Sequence, residues 1–304
     1  MKYLMVGAGG TGGSLSGFLA AGGKDVSLVA RGVHLDRLRE EGLTLHSDCL
    51  GNRTLAVRAF GPDDPLPKFD VIFVCVKNYS LESVFPILRR ASDEGTILLP
   101  ILNGLHAADR IAKALPDWAV YEGCVYVTAN REEPGVVRQQ GNIFRVVFGS
   151  RQGGPALPEK AKALAEELES CGIRAILSDH IQRDIYRKFS LISAHAATAI
   201  YHNAFVDRIQ QPGPERETFE ALLRENINVA QAMGIRFDTD LFAYNMDVID
   251  HFAPGATASA HRDVLAGRTS EVDDLVFEVA RLGHAHGVPI PVYERIARSL
   301  GYTH

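Results

Sequence analysis

Residues 2–12, KYLMVGAGGTG, and residues 25–32, DVSLVARG, decide how this chain folds. Tyr3–Val6 is an apolar run that ends at a cluster of glycines. The cluster fits G-x-G-x-x-G, with Gly7, Gly9 and Gly12 in the three glycine places. Each place has a mechanical reason. The first allows a tight turn off a strand, the second lets the backbone approach a pyrophosphate, and the third lets the following helix pack close. A helix is predicted over Thr11–Gly22, and its N-terminus offers free N–H groups and partial positive charge to phosphates. Gly7, Ala8, Gly9, Gly10, Thr11 and Gly12 are therefore read as a dinucleotide-binding loop. The plain alternative is a glycine-rich strand–helix turn with no ligand.

The second strand ends at Val29-Ala30-Arg31. A site for NAD usually carries an acidic residue there, for the ribose 2′-hydroxyl. None is present, and Asp25 is at the wrong end of the strand. Arg31 suits a 2′-phosphate, because a guanidinium pairs with phosphate as a fork. Lys77, just past the apolar run FDVIFVCV, can add a second charge. The expected cofactor is NADP; otherwise Arg31 is a solvated loop residue.

Further along, short β-branched runs alternate with helical stretches to about residue 115. FDVIFVCV has apolar residues on both faces, as a strand covered on both sides should. Such alternation predicts a mostly parallel sheet between layers of helices. From residue 119 to 150 the texture becomes strand-rich, with turns expected at EEPG and QQGN, suggesting an antiparallel extension. LPEKAKALAEELESCG reads as a helix and IRAILS as a last strand. After Ser178 no strand is convincing. One helix is expected over 180–209, broken by Pro212-Gly213-Pro214, and four more before the end. The expected fold is α/β: a Rossmann-like domain over residues 1–178, then an all-α domain over 179–304.

Composition narrows the function. The chain has 304 residues, is 46% hydrophobic, and carries a net charge of −5. That balance argues against a nucleic-acid partner. No apolar run approaches the roughly 18 residues of a membrane span, and the N-terminus does not read as a signal peptide. Cys49, Cys75, Cys124 and Cys171 are widely spaced and form no C-x-x-C pair, which suits free thiols in a reducing cytoplasm. His284 and His286 lack ligand-type neighbours at suitable spacing, so no metal site is expected.

Several ordered motifs together resemble one family. GAGGTGG, LVARG, VCVKNY, LNGL, IYRKF and TASAHRDVLAGRTSEVDDL are similar, in that order, to signatures of the ketopantoate reductases (2-dehydropantoate 2-reductases). That resemblance implies NADPH-dependent reduction of a 2-oxo acid to a 2-hydroxy acid in the cytoplasm, by default ketopantoate to pantoate in pantothenate biosynthesis. It also implies roles. Lys188 is the general acid. Glu271 contacts the substrate's hydroxyl end and supports the site. Ser259 binds the carboxylate. Asn103 positions the lysine and the nicotinamide. Asn103 and Glu271 join the loop, Arg31 and Lys77 as cofactor-binding residues. The chemistry is sensible: an ammonium beside a ketone oxygen stabilises the growing alkoxide and can give up a proton.

The chain departs from the family at one place. The family has asparagines four and eight residues after the lysine, on the same helical face. Here those positions are Ile192 and Ala196, whose side chains cannot hydrogen-bond. His195 lies within about 20° of Lys188 on the helical wheel, so it is a candidate substitute for the missing polar groups, or else a packed histidine. Three functions follow: a ketopantoate reductase, a relative that reduces another, more apolar ketone, and a non-catalytic NADPH-binding sensor. The expected partner is a small-molecule 2-oxo acid, and the helical domain has enough apolar surface for a homodimer.

Overall fold

A computed structural model describes residues 1–303. The chain divides into two compact units: residues 1–102 with 106–181, and residues 103–105 with the chain from Gln182 onward.

The first unit is built on a ten-stranded sheet. Its parallel part comprises β1 (Lys2–Val6), β2 (Asp25–Val29), β5 (Arg58–Phe60), β6 (Val71–Val74), β7 (Ile97–Pro100) and the start of β8 (Ala119–Glu133), in spatial order β5-β2-β1-β6-β7-β8. This is the doubly wound order, with its switch point between β1 and β6. Period-two alternation explains the apolar runs. In β1, Tyr3 and Met5 enter the core on one face, while Leu4 and Val6 enter the core on the other. β6 splits likewise, Val71 and Phe73 against Ile72 and Val74. The first face is covered by α1 (Gly10–Ala21), α2 (Gly32–Glu40) and α5 (Pro158–Ser170) through Leu15, Phe18, Leu38 and Leu164. The second is covered by α3 (Phe85–Ala91) and α4 (Ala107–Ala114) through Leu88 and Ile111. Fully burying each such side chain contributes about 1.5–3 kcal/mol.

The antiparallel extension is a long hairpin of β8 with β9 (Val136–Ser150), to which β3 (Leu43–Ser47), β4 (Gly51–Leu55) and β10 (Arg174–Leu177) attach. The turn expected at EEPG is present, with Gly135 at φ +83°. The turn expected at QQGN is not. β9 runs straight through it, and the pairing jumps from Thr128↔Gln140 to Val127↔Phe144. Gly141, at φ +74°, lets the intervening residues bulge out of the ladder. Neighbours absorb the bulge's backbone groups: Gly141 N–H donates to Asp48 Oδ2 at 2.7 Å, and Gln139 Nε2 donates to Gly141 O at 2.7 Å.

The second unit is helical. Its central element is α6 (Ile181–His202), in which Ser193, Ala194, Ala196, Ala197, Thr198 and Ala199 are all fully buried. Small side chains on every face let neighbouring helices pack close around it. The helix expected to continue to residue 209 stops at Asn203, whose φ of +49° puts it in the left-handed region. Asparagine tolerates that conformation as a helix stop, and Ala204 N–H returns to Ala199 O at 3.0 Å. A short α7 (Val206–Ile209) follows, then α8 (Pro214–Ala232) and α9 (Leu241–Asp250). Asp240 caps α9 by accepting from Ala243 N–H at 3.0 Å. α10 (Ser259–Leu265) precedes a π-helical turn at Asp273–Phe277. α11 (Glu278–Ala285) and α12 (Pro291–Ser299) complete the unit. No helix among the described residues is long and apolar enough to cross a membrane.

Candidate active site

In the first unit, the glycine loop lies at the switch point, between the C-terminal ends of β1 and β6. A Cβ on Gly7 would lie 2.8 Å from Val76 N, so this loop and the segment leading to Lys77 are in backbone contact. Gly7 also has φ +108°, which side-chain-bearing residues rarely adopt. A Cβ on Gly12 would overlap Gly7 O and come within 3.0 Å of Cys75 Cβ. Protein packing thus accounts for the first and third glycines. It does not account for Gly9: its φ is ordinary, it is exposed, and no protein atom lies within 4 Å of where its Cβ would be. The open space leaves room for a pyrophosphate to approach the backbone there. Gly9 is the N-cap of α1, with no side-chain cap over the first-turn N–H groups. The loop therefore fits a dinucleotide.

Arg31 is the N-cap residue of α2, directly after β2, and is exposed. Its guanidinium makes no hydrogen bond or ion pair with any described residue, which suits a group kept for an external anion. Asp25 is engaged by Arg58. Lys77 is half-buried and opens the turn at Asn78–Ser80. Ala8 is buried, and its carbonyl is taken by His34, so the side chain of Ala8 cannot serve a ligand. Thr11 is half-buried in the first turn of α1. The sequence reading missed His34 altogether. A single histidine in the first turn of a helix carries no motif.

In the second unit, three sequence-selected residues converge. Lys188 Nζ donates to Asn103 Oδ1 at 3.0 Å, and Asn103 Nδ2 donates to Glu271 Oε2 at 3.4 Å. An ammonium has no acceptor and a carboxylate no donor, so the two neighbours fix which end of the amide faces which. Glu271 is only 2% exposed, while Lys188 and Asn103 are half-buried. The Glu271 carbonyl accepts from Leu275 N–H, within the π-helical turn, at 3.0 Å. Ser193 Oγ, on the same helix as Lys188, donates to Leu275 O at 2.6 Å. That uses its single hydrogen, so Tyr293 O–H donates to Ser193 Oγ at 2.7 Å, and Asn226 Nδ2 donates to Tyr293 Oη at 3.1 Å. The chain Asn226–Tyr293–Ser193–Leu275 ties three helices to the segment that carries Glu271. Tyr186, in IYRKF, is buried and donates to Asn226 O at 3.1 Å.

Ser259 and His195 stand apart from the trio and hydrogen-bond to none of it. Ser259 is half-buried in the first turn of α10, and no described residue engages its hydroxyl. His195 is 5% exposed and lies edge-on to Phe252 at 5.7 Å. Its Nε2 is buried without a hydrogen-bond partner among the described residues. Burial, then the nearby His261 and Arg262, pull its pKa down to about 4. Ile192 is half-buried against the helical core, and Ala196 lies wholly inside it.

The remaining candidates are ordinary. All four cysteines are free; Cys124 and Cys171 are buried, and burial raises the Cys75 thiol. His284 and His286 are exposed at the end of α11, His284 beside Glu294 at 2.7 Å. No cluster of three metal-ligating side chains occurs among the described residues.

Known proteins agree with this architecture. The family model described as ketopantoate reductase PanE/ApbA matches residues 3–153, and its C-terminal counterpart matches residues 180–301. An uncharacterized oxidoreductase, YkpB, of Bacillus subtilis is 26% identical over 99% of this chain and 98% of its own length. The 2-dehydropantoate 2-reductase of Halobacterium salinarum is 29% identical over 98% of this chain and 97% of its own. A ternary structure of D-mandelate dehydrogenase with NADH and anilino(oxo)acetate shares the fold, with a TM-score of 0.88 at 23% identity, covering 98% of this chain and 96% of that one. With its doubly wound sheet, its helical second unit and both matches in order, the chain belongs to the ketopantoate reductase PanE/ApbA family of NAD(P)-dependent oxidoreductases.

Proposed function

We propose that the protein uses NADPH to reduce a 2-oxo acid to the 2-hydroxy acid, with ketopantoate, the precursor of pantoate in pantothenate biosynthesis, as the default substrate. One observation carries the reading: Lys188, Asn103 and Glu271, distant in sequence, form a single hydrogen-bonded chain. A sensor that only bound nucleotide would have no use for it. The nicotinamide, when bound, supplies the hydride. The chain's own residues do the rest. Lys188 presents its ammonium to the ketone oxygen, stabilises the negative charge that develops there and donates the proton from Nζ. Asn103 fixes the lysine's direction, and buried Glu271 fixes the amide and receives the substrate's hydroxyl end. Ser259 offers its unengaged hydroxyl to the carboxylate. Arg31 selects the 2′-phosphate of NADPH over NADH, and Lys77 adds charge at the loop.

Ile192 and Ala196 favour a second reading within the same chemistry. Neither can hydrogen-bond a hydroxyl on the substrate's side chain, so a 2-oxo acid with a more apolar group is the alternative acceptor. A site without those polar partners discriminates weakly for a hydroxylated substrate. The test is loss of nicotinamide absorbance with NADPH and a panel of 2-oxo acids, ketopantoate and larger apolar ones included. Turnover of ketopantoate at the highest kcat/KM supports the first reading, and preference for an apolar acid supports the second. No turnover of any member overturns both.

A further inference from the structure

The inference that follows rests on the glycine loop being a nicotinamide dinucleotide site. We propose that His34 is a positioning residue that clamps this loop to the tip of the β8–β9 hairpin, and that its neutral form is required for tight dinucleotide binding.

His34 is 6% exposed, in the first turn of α2. Its Nε2 lies 2.7 Å from Ala8 O, inside the glycine loop, and Gly135 N–H, at the hairpin tip, lies 2.9 Å from its Nδ1. A carbonyl only accepts and an amide N–H only donates, so Nε2 carries the hydrogen and Nδ1 is bare. The ring is therefore a neutral bridge between two backbone groups 127 residues apart in sequence (8 and 135). The hairpin also presses on the loop directly. A Cβ on Gly10 would lie 2.6 Å from Asn130 Cα, and one on Gly13 would lie 2.6 Å from Val137 Cγ1. Ala8 sits between Gly7 and Gly9, so holding its carbonyl holds the turn whose amides would face a pyrophosphate.

Protonation at Nδ1 would set one N–H against another and break the bond to Gly135. Burial opposes it most and lowers the ring's pKa; the Ala8 hydrogen bond works the other way, and the charge of Arg131 on β8 adds a lesser lowering. The other charged groups nearby are otherwise placed. Asp36, Arg37, Arg39 and Glu40 of its own helix are exposed, as is Glu133 at the hairpin tip. Glu132 pairs with His46 and Arg138. The loop and α1 carry no titratable side chain.

The experiment is a fluorescence titration of NADP⁺, which withstands acid, into the full chain and its His34→Leu and His34→Gln variants, from pH 8 to 4.5, low enough to reach a ring whose pKa burial has lowered. At pH 8, His34→Leu should bind about tenfold more weakly, the loss expected when buried partners are left unpaired. Glutamine offers one donor and one acceptor without titrating, so His34→Gln should recover most of that affinity. As pH falls, the wild type should weaken relative to His34→Gln; ionisation of the 2′-phosphate is common to both and cancels in the ratio. If His34→Leu fails to fold, the pH dependence of that ratio decides alone. A flat ratio, or a folded His34→Leu that binds as tightly as wild type, overturns the clamp. A wild type that binds neither NADP⁺ nor NAD⁺ overturns the dinucleotide reading and the clamp with it.

Discussion

At the scale of single residues, burial decides what each polar group can do. His195 is the clearest case. Its helical-wheel position beside Lys188 made it a candidate substrate contact, and the structure encloses it against Phe252 with an unpartnered Nε2. Its folded pKa of about 4 lies below the usual 6.5. The unfolded chain therefore binds the proton more readily, and stability is present above pH 6.5 and lost as pH falls towards 4. A gap of about 2.5 units corresponds to roughly 3 kcal/mol for so buried a group. Urea midpoints measured between pH 7 and 4.5 should fall with pH in the wild type and fall much less in His195→Leu. Equal slopes would show that another group carries the acid sensitivity. Arg31 makes a separate prediction. Arg31→Ala should lose NADPH affinity by about tenfold or more, as removal of a charge-assisted phosphate contact does, with NADH affinity little changed. A parallel loss for both nucleotides would contradict the 2′-phosphate role. Arg31 could be singled out in the sequence because a missing acid at a known place is itself a signal. His34 was not, because its partners are backbone atoms brought together by the hairpin.

At the scale of elements, the first half of the chain was easier to read than the second. Strands buried on both faces write uninterrupted apolar runs, and β1, β2, β6 and β7 appear where those runs are. The failures have local causes. Gly141 signals a turn, but its side-chain neighbours Gln139 and Asp48 satisfy a bulge instead. Asn203 ends α6 without the glycine or proline that usually marks a stop. The π-helical turn after Glu271 has no sequence signature, because the Ser193–Tyr293–Asn226 network that sustains it comes from three other segments. The glycine loop offers a paired test. Gly12→Ala forces a backbone clash, which should destabilise the fold by about 1–3 kcal/mol. Gly9→Ala meets no protein atom, so its melting temperature should match the wild type while nucleotide affinity falls. If Gly9→Ala binds NADPH normally, the pyrophosphate does not pass over that residue.

At the scale of the whole molecule, the two units divide the labour. The first carries the glycine loop that fits a dinucleotide, and the second gathers Lys188, Asn103 and Glu271, with residues 103 and 271 separated by 168 positions along the chain. Their convergence could not be read from spacing or periodicity; it was legible only through resemblance to a family, and the geometry now supplies its physical content. The same resemblance exposed the departure at Ile192 and Ala196, of which Ala196 is enclosed in the helical core and Ile192 is half-buried against it. The central claim is that Lys188 serves the chemical step. It is tested most directly by single-turnover hydride transfer at saturating NADPH, with the best 2-oxo acid of the panel, comparing wild type with Lys188→Ala. The account predicts a rate lower by about 10²–10⁴-fold, the usual contribution of a positioned general acid, with NADPH affinity nearly unchanged. A Lys188→Ala protein that transfers hydride at the wild-type rate would contradict it.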